Sequence, residues 1–258
     1  MEEHVLKSLW QHEEDVAHIH GWDFSHIAGR YEEEGDLPWD YRQAALEGLR
    51  PDMDLLDYDT GGGEFLLSLG HPHERTWATE GYPPNAALCR ERLEPLGVHF
   101  QTCDNPAAIP FGDAAFDRIL NRHGDFCPSE LCRLLKPGGL AVTEQVGGQN
   151  DRDLVELVLP STPPPYPHLN LEEQRRAFEA AGFNILRAQE AFRPIRFYDV
   201  GAFVWFARIL PWEFPGFSVE RCFPALLDLH RTIQREGQFT GTIHRFLLAA
   251  EKPTCSAP

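Results

Sequence analysis

Lysine is nearly absent from this 258-residue chain: Lys7, Lys136 and Lys252 stand against 20 arginines. With 40 Asp and Glu against 23 Lys and Arg, the formal net charge is −17. The broad cationic surface that neutralises phosphates is therefore missing, and nucleic acid is a disfavoured partner. The arginine excess reads as the coding bias of a GC-rich genome, because Arg and Lys are not chemically equivalent and no cluster of them looks purposeful. The six cysteines (Cys89, Cys103, Cys127, Cys132, Cys222 and Cys255) contain no Cys-x-x-Cys pair. Their spacing matches neither a zinc module nor a disulfide framework, so reduced thiols are expected. No run of about 20 apolar residues is present, so no membrane-spanning helix is expected. The acidic start, MEEHVLKSLWQHEEDVAHIH, does not read as a signal peptide. The expectation is a soluble cytoplasmic protein, monomeric or homodimeric.

A chain of this length can bury about 70% or more of its unfolded surface and needs no metal or disulfide to fold. Residues 3–19 place apolar side chains at helical spacing, and 41–49 reads as a second helix ended near Pro51. Strands are expected at 53–57, 76–79, 98–103, 116–120 and 140–145, with helices at 64–69, 85–96 and 129–135 between them. This alternation calls for right-handed crossovers and a mostly parallel sheet with helices on both faces. A proline-rich loop, PSTPPPYP, follows at 160–167. A helix then opens on Asn170 with Glu173 at its third position and stops at Gly182. A sixth strand at 183–188 and a last one at 242–250 flank an aromatic-rich, helical insertion at 192–236.

Chemistry concentrates in Asp54-Leu55-Leu56-Asp57-Tyr58-Asp59-Thr60-Gly61-Gly62-Gly63-Glu64. A strand running into a glycine turn and a helix brings backbone N–H groups close to a ligand with no Cβ in the way. In an open parallel sheet this first strand end is where a nucleotide-like cofactor sits. Glu80, seventeen residues past Gly63 at the end of the second strand, is placed to accept from two ribose hydroxyls. A dinucleotide fingerprint needs glycine where Leu66 stands, which weakens the pyrophosphate reading.

The stretches LDYDTGGGE (56–64), Glu80, Asp104, PFGDAAFDRIL (110–120) and LLKPGGLAVTEQV (134–146), in this order and spacing, resemble a class I S-adenosylmethionine-dependent methyltransferase over roughly residues 50–150. The whole chain also resembles a bacterial, methyltransferase type 11-like group through PWDY (38–41), NRH (121–123), QVGG (145–148) and YDVGAFVW (198–205). The resemblance implies a Rossmann-like, seven-stranded, mostly parallel sheet. It divides the chain into an N-terminal helical cap (1–48), a cofactor-binding core (49–191), a lid insertion (192–236) and a last core strand with its tail (237–258).

It implies S-adenosyl-L-methionine as cofactor, with Asp57 and the Gly61–Gly63 backbone at its methionine end and Asp59, Thr60 and Asn121 beside them. Glu80 would clamp the ribose through charge-assisted bonds, Asp104 would accept from the adenine amino group, and Asn105 would lie beside the ring. Tyr82 would lie against the ribose or adenine, or pack in the core. Asp59 stands where the family's pattern has its first glycine; Asp tolerates a left-handed backbone, and its carboxylate bears on cofactor affinity.

The implied reaction is in-line methyl transfer to oxygen, nitrogen or carbon of a small or medium-sized acceptor. His123, with an ordinary pKa of about 6.5, is the candidate base or else lines the pocket. Trp39, Tyr41, Arg122, Gln145, Tyr198 and Trp205 are candidate acceptor contacts. The ten aromatic side chains between Phe192 and Phe223 form either a lid over an apolar pocket or a small core. The histidines at 4, 12, 18, 20, 26, 71 and 73 read as solvated polar residues, so no metal is expected. The alternatives are a tRNA or rRNA base methyltransferase, disfavoured by the charge, and a non-catalytic cofactor-binding regulatory protein.

Overall fold

The computed structural model describes residues 2–18, 23–33 and 35–254; His20 and Cys255 lie outside the described residues. Among the described residues the chain carries helices α1 (Glu3–Val16), α2 (Tyr41–Leu46), α3 (Glu64–Ser68), α4 (Pro83–Leu93), α5 (Pro128–Leu134), α6 (Arg152–Val158), α7 (Leu171–Ala180), α8 (Val200–Ile209) and α9 (Val219–Glu236). The strands are β1 (Tyr31–Glu33), β2 (Leu55–Tyr58), β3 (Thr76–Glu80), β4 (His99–Thr102), β5 (Phe116–Arg122), β6 (Leu135–Val146), β7 (Asn184–Phe197) and β8 (Phe239–Glu251). They form one sheet in the order β1-β7-β8-β6-β5-β2-β3-β4. β2, β3, β4, β5 and β6 pair in parallel, whereas β8 runs antiparallel to β6 and β1 antiparallel to β7.

Among the described residues the sheet has eight strands, where the sequence suggested seven. The additional one, β1, is three residues long and pairs Tyr31 with Phe197 and Glu33 with Ile195. So short a segment, two of its three residues Glu, carries no alternation to read. β7 is also longer than expected, continuing through Pro194 to Phe197, although proline in a strand ordinarily signals an end. No helix among the described residues is long and apolar enough to cross a membrane.

The chain divides into two compact units. One, Pro38–Val146 with Leu169–Glu190 and Arg245–Pro258, contains the parallel strands. Its interior gathers Leu56, Phe116, Ile119, Leu134, Phe178 and Leu248, and α4 packs beside β3 and β4. The α7 cap is as the sequence suggests: the Asn170 side chain accepts from the Glu173 N–H at 3.0 Å and donates to Glu173 Oε1 at 3.2 Å. Buried Arg118 on β5 donates to the Ala45 and Glu47 carbonyls at 2.9 and 2.7 Å. It thereby satisfies carbonyls that the end of α2 leaves without helical partners and pins that helix to the sheet.

The other unit, Met1–Leu37 with Gly147–His168 and Ala191–His244, packs α1, α6, α8 and α9 together. Its core is aromatic. Phe197, Phe203, Trp205, Phe206, Phe214 and Phe217 are all buried, so six of the ten aromatics between Phe192 and Phe223 serve packing. The Asp199 side chain caps α8 by accepting from the Ala202 N–H and takes a two-pronged contact from Arg30, both bonds at 2.8 Å.

Candidate active site

The parallel register brings the polar strand ends to one edge. Asp57 pairs with Ala78 and Leu120, Glu80 with Thr102, and Arg122 with Glu144. After β2 the chain builds β3 and β4 on one side and then returns to place β5 on the other. The carboxyl ends of β2 and β5 therefore flank the point where strand order reverses, the crevice in which open α/β sheets bind ligands.

Between β2 and α3, Gly61 and Gly63 adopt positive φ of 65° and 79°. Gly63 packs so closely on Leu93 that an added Cβ would meet its Cδ2 at 2.8 Å. The turn is tied to β3: the Gly61 and Tyr82 N–H groups donate to the two oxygens of buried Glu80, each at 2.8 Å. Asp57 is 4% exposed and accepts the Thr60 hydroxyl on Oδ2 at 2.5 Å. Burial, reinforced by Asp59 and Glu80 and opposed by Thr60 and Arg122, pushes its carboxyl up to about 7. Asp59 takes the left-handed backbone, φ 59°. Its carboxyl is raised by burial and then by Glu80, to which it is hydrogen-bonded, and by Asp125. The side chain lies on Gly124, where an added Cβ would stand 2.2 Å from Asp59 Oδ2. Three carboxyls thus converge on one turn, and burial beside one another favours the protonated form of Asp57 and Asp59.

A second cluster follows β5. Glu144 on β6 is buried; it accepts from Trp39 Nε1 at 2.6 Å on one oxygen and from Arg122 Nε at 2.8 Å on the other. The Arg122 guanidinium lies over the Tyr41 and Phe65 rings, 5.5 and 5.7 Å from their centroids. Tyr41 is itself fixed by donating its hydroxyl to the Asn121 carbonyl. His123, at φ 59°, has its Nε2 3.7 Å from Glu144 Oε1. Desolvation, with Arg245 and Arg122 adding positive potential, holds its imidazole below its ordinary value and neutral at pH 7.

The remaining candidates separate. Asn121 and Gln145 are buried in a network: Asn121 Nδ2 donates to the Tyr58 carbonyl, and Gln145 Nε2 donates to Asn121 Oδ1 at 2.6 Å and Thr143 Oγ1 at 2.7 Å. Both brace the strand ends. Asp104, Asn105 and Tyr82 are exposed beyond β4 and β3. There Gly81 lets the backbones meet, since a Cβ would lie 2.7 Å from the Cys103 carbonyl oxygen. Tyr198 and Trp205 belong to the aromatic unit. Tyr198 donates to Glu32 at 2.6 Å, and Trp205 is buried against Phe24 and stacked with His26. The sequence reading missed Glu144 and Gly124. The available signals were an acid just past the apolar run Leu140-Ala141-Val142 and a glycine directly after Asn121-Arg122-His123.

The strand order, the β2–glycine turn–α3 unit and the antiparallel β8 beside β6 define the fold of class I methyltransferases. The chain is similar in structure to a candidate methyltransferase from Bacillus halodurans C-125, with TM-score 0.57 and 18% identity over 83% of this chain and 97% of that one. It is likewise similar to the YcgJ protein from Bacillus subtilis, with TM-score 0.55 and 17% identity over 82% and 96% of the two chains. In sequence it is 28% identical over 134 residues to the ubiquinone/menaquinone biosynthesis C-methyltransferase UbiE of Laribacter hongkongensis. That match spans 45% of this chain and about half, 55%, of the curated relative. No protein-family model matches the chain.

Proposed function

We propose that this protein is an S-adenosylmethionine-dependent methyltransferase acting on a small or medium-sized acceptor. The observation that carries the reading is the pair of buried carboxyls, Asp57 and Glu80, closing on the glycine turn at the switch point. The donor set suits the cofactor. Asp57 Oδ1 has no hydrogen bond from the chain among the described residues, which leaves an acceptor for an ammonium. Each Glu80 oxygen holds one backbone N–H, and the one that Asp59 does not engage retains a lone pair for a ribose hydroxyl. Exposed Asp104 can meet an adenine edge, as can the amide nitrogen of Asn105, whose Oδ1 already accepts from the Ala107 N–H at 3.0 Å. The UbiE relative supports the same class, and the two structural neighbours support the fold.

When bound, the cofactor supplies a methyl group on a sulfonium, so the protein's task is alignment and exclusion of water. Asp57, ionised by the approach of a cation, would hold the amino-acid end, and Glu80 the sugar. Trp39 and Tyr41, locked by Glu144 and the Asn121 carbonyl, form a rigid wall beside Arg122. His123, kept neutral, accepts a hydrogen bond from the acceptor; its lowered basicity suits an acceptor whose proton is already acidic. Calorimetry with S-adenosylhomocysteine tests the proposal: micromolar binding is expected, and no heat at high micromolar concentration would overturn it.

A further inference from the structure

Arg122 is held in a way that its structural partners do not exhaust. Its Nε is tied to buried Glu144 at 2.8 Å and its plane lies over the Tyr41 and Phe65 rings. Nη1 and Nη2 have no hydrogen-bond partner among the described residues, and the side chain is 46% exposed. A guanidinium is a planar fork whose two Nη groups match the two oxygens of a carboxylate. Holding that fork still ordinarily costs side-chain entropy on binding; here Glu144 and two rings have already fixed it. The neighbouring field agrees. In a chain of net charge −17, the imidazole of His123 beside it feels positive potential from both Arg122 and Arg245.

We propose that Arg122 receives a carboxylate from one of the two ligands of this site, either the methyl acceptor or the amino-acid end of the cofactor. This rests on the methyltransferase reading. Glu144 is then a positioning residue, setting the fork without touching the ligand.

The test compares the wild-type protein with Arg122→Gln and Arg122→Lys, each first shown to be folded by its thermal unfolding. Affinities for S-adenosylhomocysteine and for 5′-methylthioadenosine, which lacks the amino-acid end, are measured by calorimetry. Thermal shifts with benzoate are measured with and without S-adenosylhomocysteine, against chloride at equal ionic strength. If the carboxylate comes from the cofactor, Arg122→Gln weakens S-adenosylhomocysteine about 10–100-fold and leaves 5′-methylthioadenosine unchanged. If it comes from the acceptor, S-adenosylhomocysteine binding is equal in both proteins, and benzoate raises the melting temperature of the wild type alone. Arg122→Lys keeps the charge but not the fork, and falls between the two. Unchanged affinities together with no benzoate difference would overturn the inference. Should the wild type bind no S-adenosylhomocysteine, the methyltransferase reading falls, and the benzoate comparison alone decides the role of Arg122.

Discussion

The strand-end edge of the sheet unit and helix α8 of the aromatic unit use their buried residues in opposite ways. The parallel-sheet unit buries Asp57, Glu80, Arg118, Asn121, Glu144 and Gln145, each at or near a strand end and each requiring a partner to offset its desolvation. In the aromatic unit, α8 buries nine of its ten residues, none of them charged. The first arrangement gives up stability to hold chemistry in place; the second supplies stability and little chemistry. Truncations should therefore be costly in the aromatic unit, whereas neutralising Asp57, whose carboxyl burial pushes up to about 7, should stabilise the protein and remove a function.

The largest expected effect tests the aromatic half of that contrast. Phe203 is fully buried, edge-on to Phe197, Phe214 and Phe239. Phe203→Ala should cost about 3–5 kcal/mol, the range for a core aromatic left as a cavity. It would be read as a lower denaturant midpoint at unchanged slope. A loss below about 1 kcal/mol would mean the unit is loosely packed and the contrast is false.

Asp57→Asn sharpens the other half, with opposite sign. A carboxyl whose folded pKa lies above its unfolded value favours folding below the unfolded value, about 4. That contribution is lost as pH rises through the folded value of about 7. The wild-type protein should therefore lose stability between about pH 4 and 7, and Asp57→Asn should be more stable at pH 8 by about 2–4 kcal/mol. Asn still accepts from Thr60, so the gain comes from the missing charge. The same variant should lose S-adenosylhomocysteine binding. A variant destabilised at pH 8 would show that Asp57 is ionised without cost.

The two regions also differ in how far the sequence exposes them. The β2–glycine turn–α3 unit, Glu80 and the Asn170 cap are local patterns, each complete within a few residues of chain, and they are legible for that reason. Glu144 is not, because its meaning depends on Trp39, 105 residues away, and on Arg122, 22 residues away. In the aromatic unit, α6 buries Leu154, Val155 and Val158 in only seven residues, too short a run to show a period. The aromatics themselves were visible; their burial was not, since composition alone does not separate a core from an exposed pocket wall. Trp205 and Tyr198, which the family resemblance offered as acceptor contacts, are engaged within that unit by packing and by Glu32.

Gly124 gives a smaller, paired effect. A methyl group there would overlap the Asp59 side chain, down to 2.8 Å at its Cβ, and a short side chain fixed at its Cβ cannot swing clear. Gly124→Ala should destabilise the protein by about 1–3 kcal/mol through overpacking. Asp59→Gly removes the atoms it would strike, so the double variant should recover most of that loss, a positive coupling in a double-mutant cycle. Additive effects would mean that Asp59 does not rest on Gly124.

The smallest expected effect is a change that does not occur. His123 carries its lowered pKa because desolvation and two arginines oppose its proton, while Glu144, at 3.7 Å, is already committed to Arg122 and Trp39. Its imidazole resonances should not titrate between about pH 5 and 8, where an unperturbed ring changes charge near 6.5. The sign of the stability effect follows. Below about 6.5 the unfolded ring takes a proton that the folded ring refuses, so His123 weakens the fold as pH falls, and His123→Gln should flatten that acid limb. Releasing Glu144 by Arg122→Gln should then let His123 titrate, because the carboxylate loses one partner and the imidazole loses one repelling charge. If the ring already titrates near 6.5 in the wild type, the strand end is wetter and less positive than its geometry indicates. The division between a chemistry-bearing unit and a packing unit would then be less sharp there.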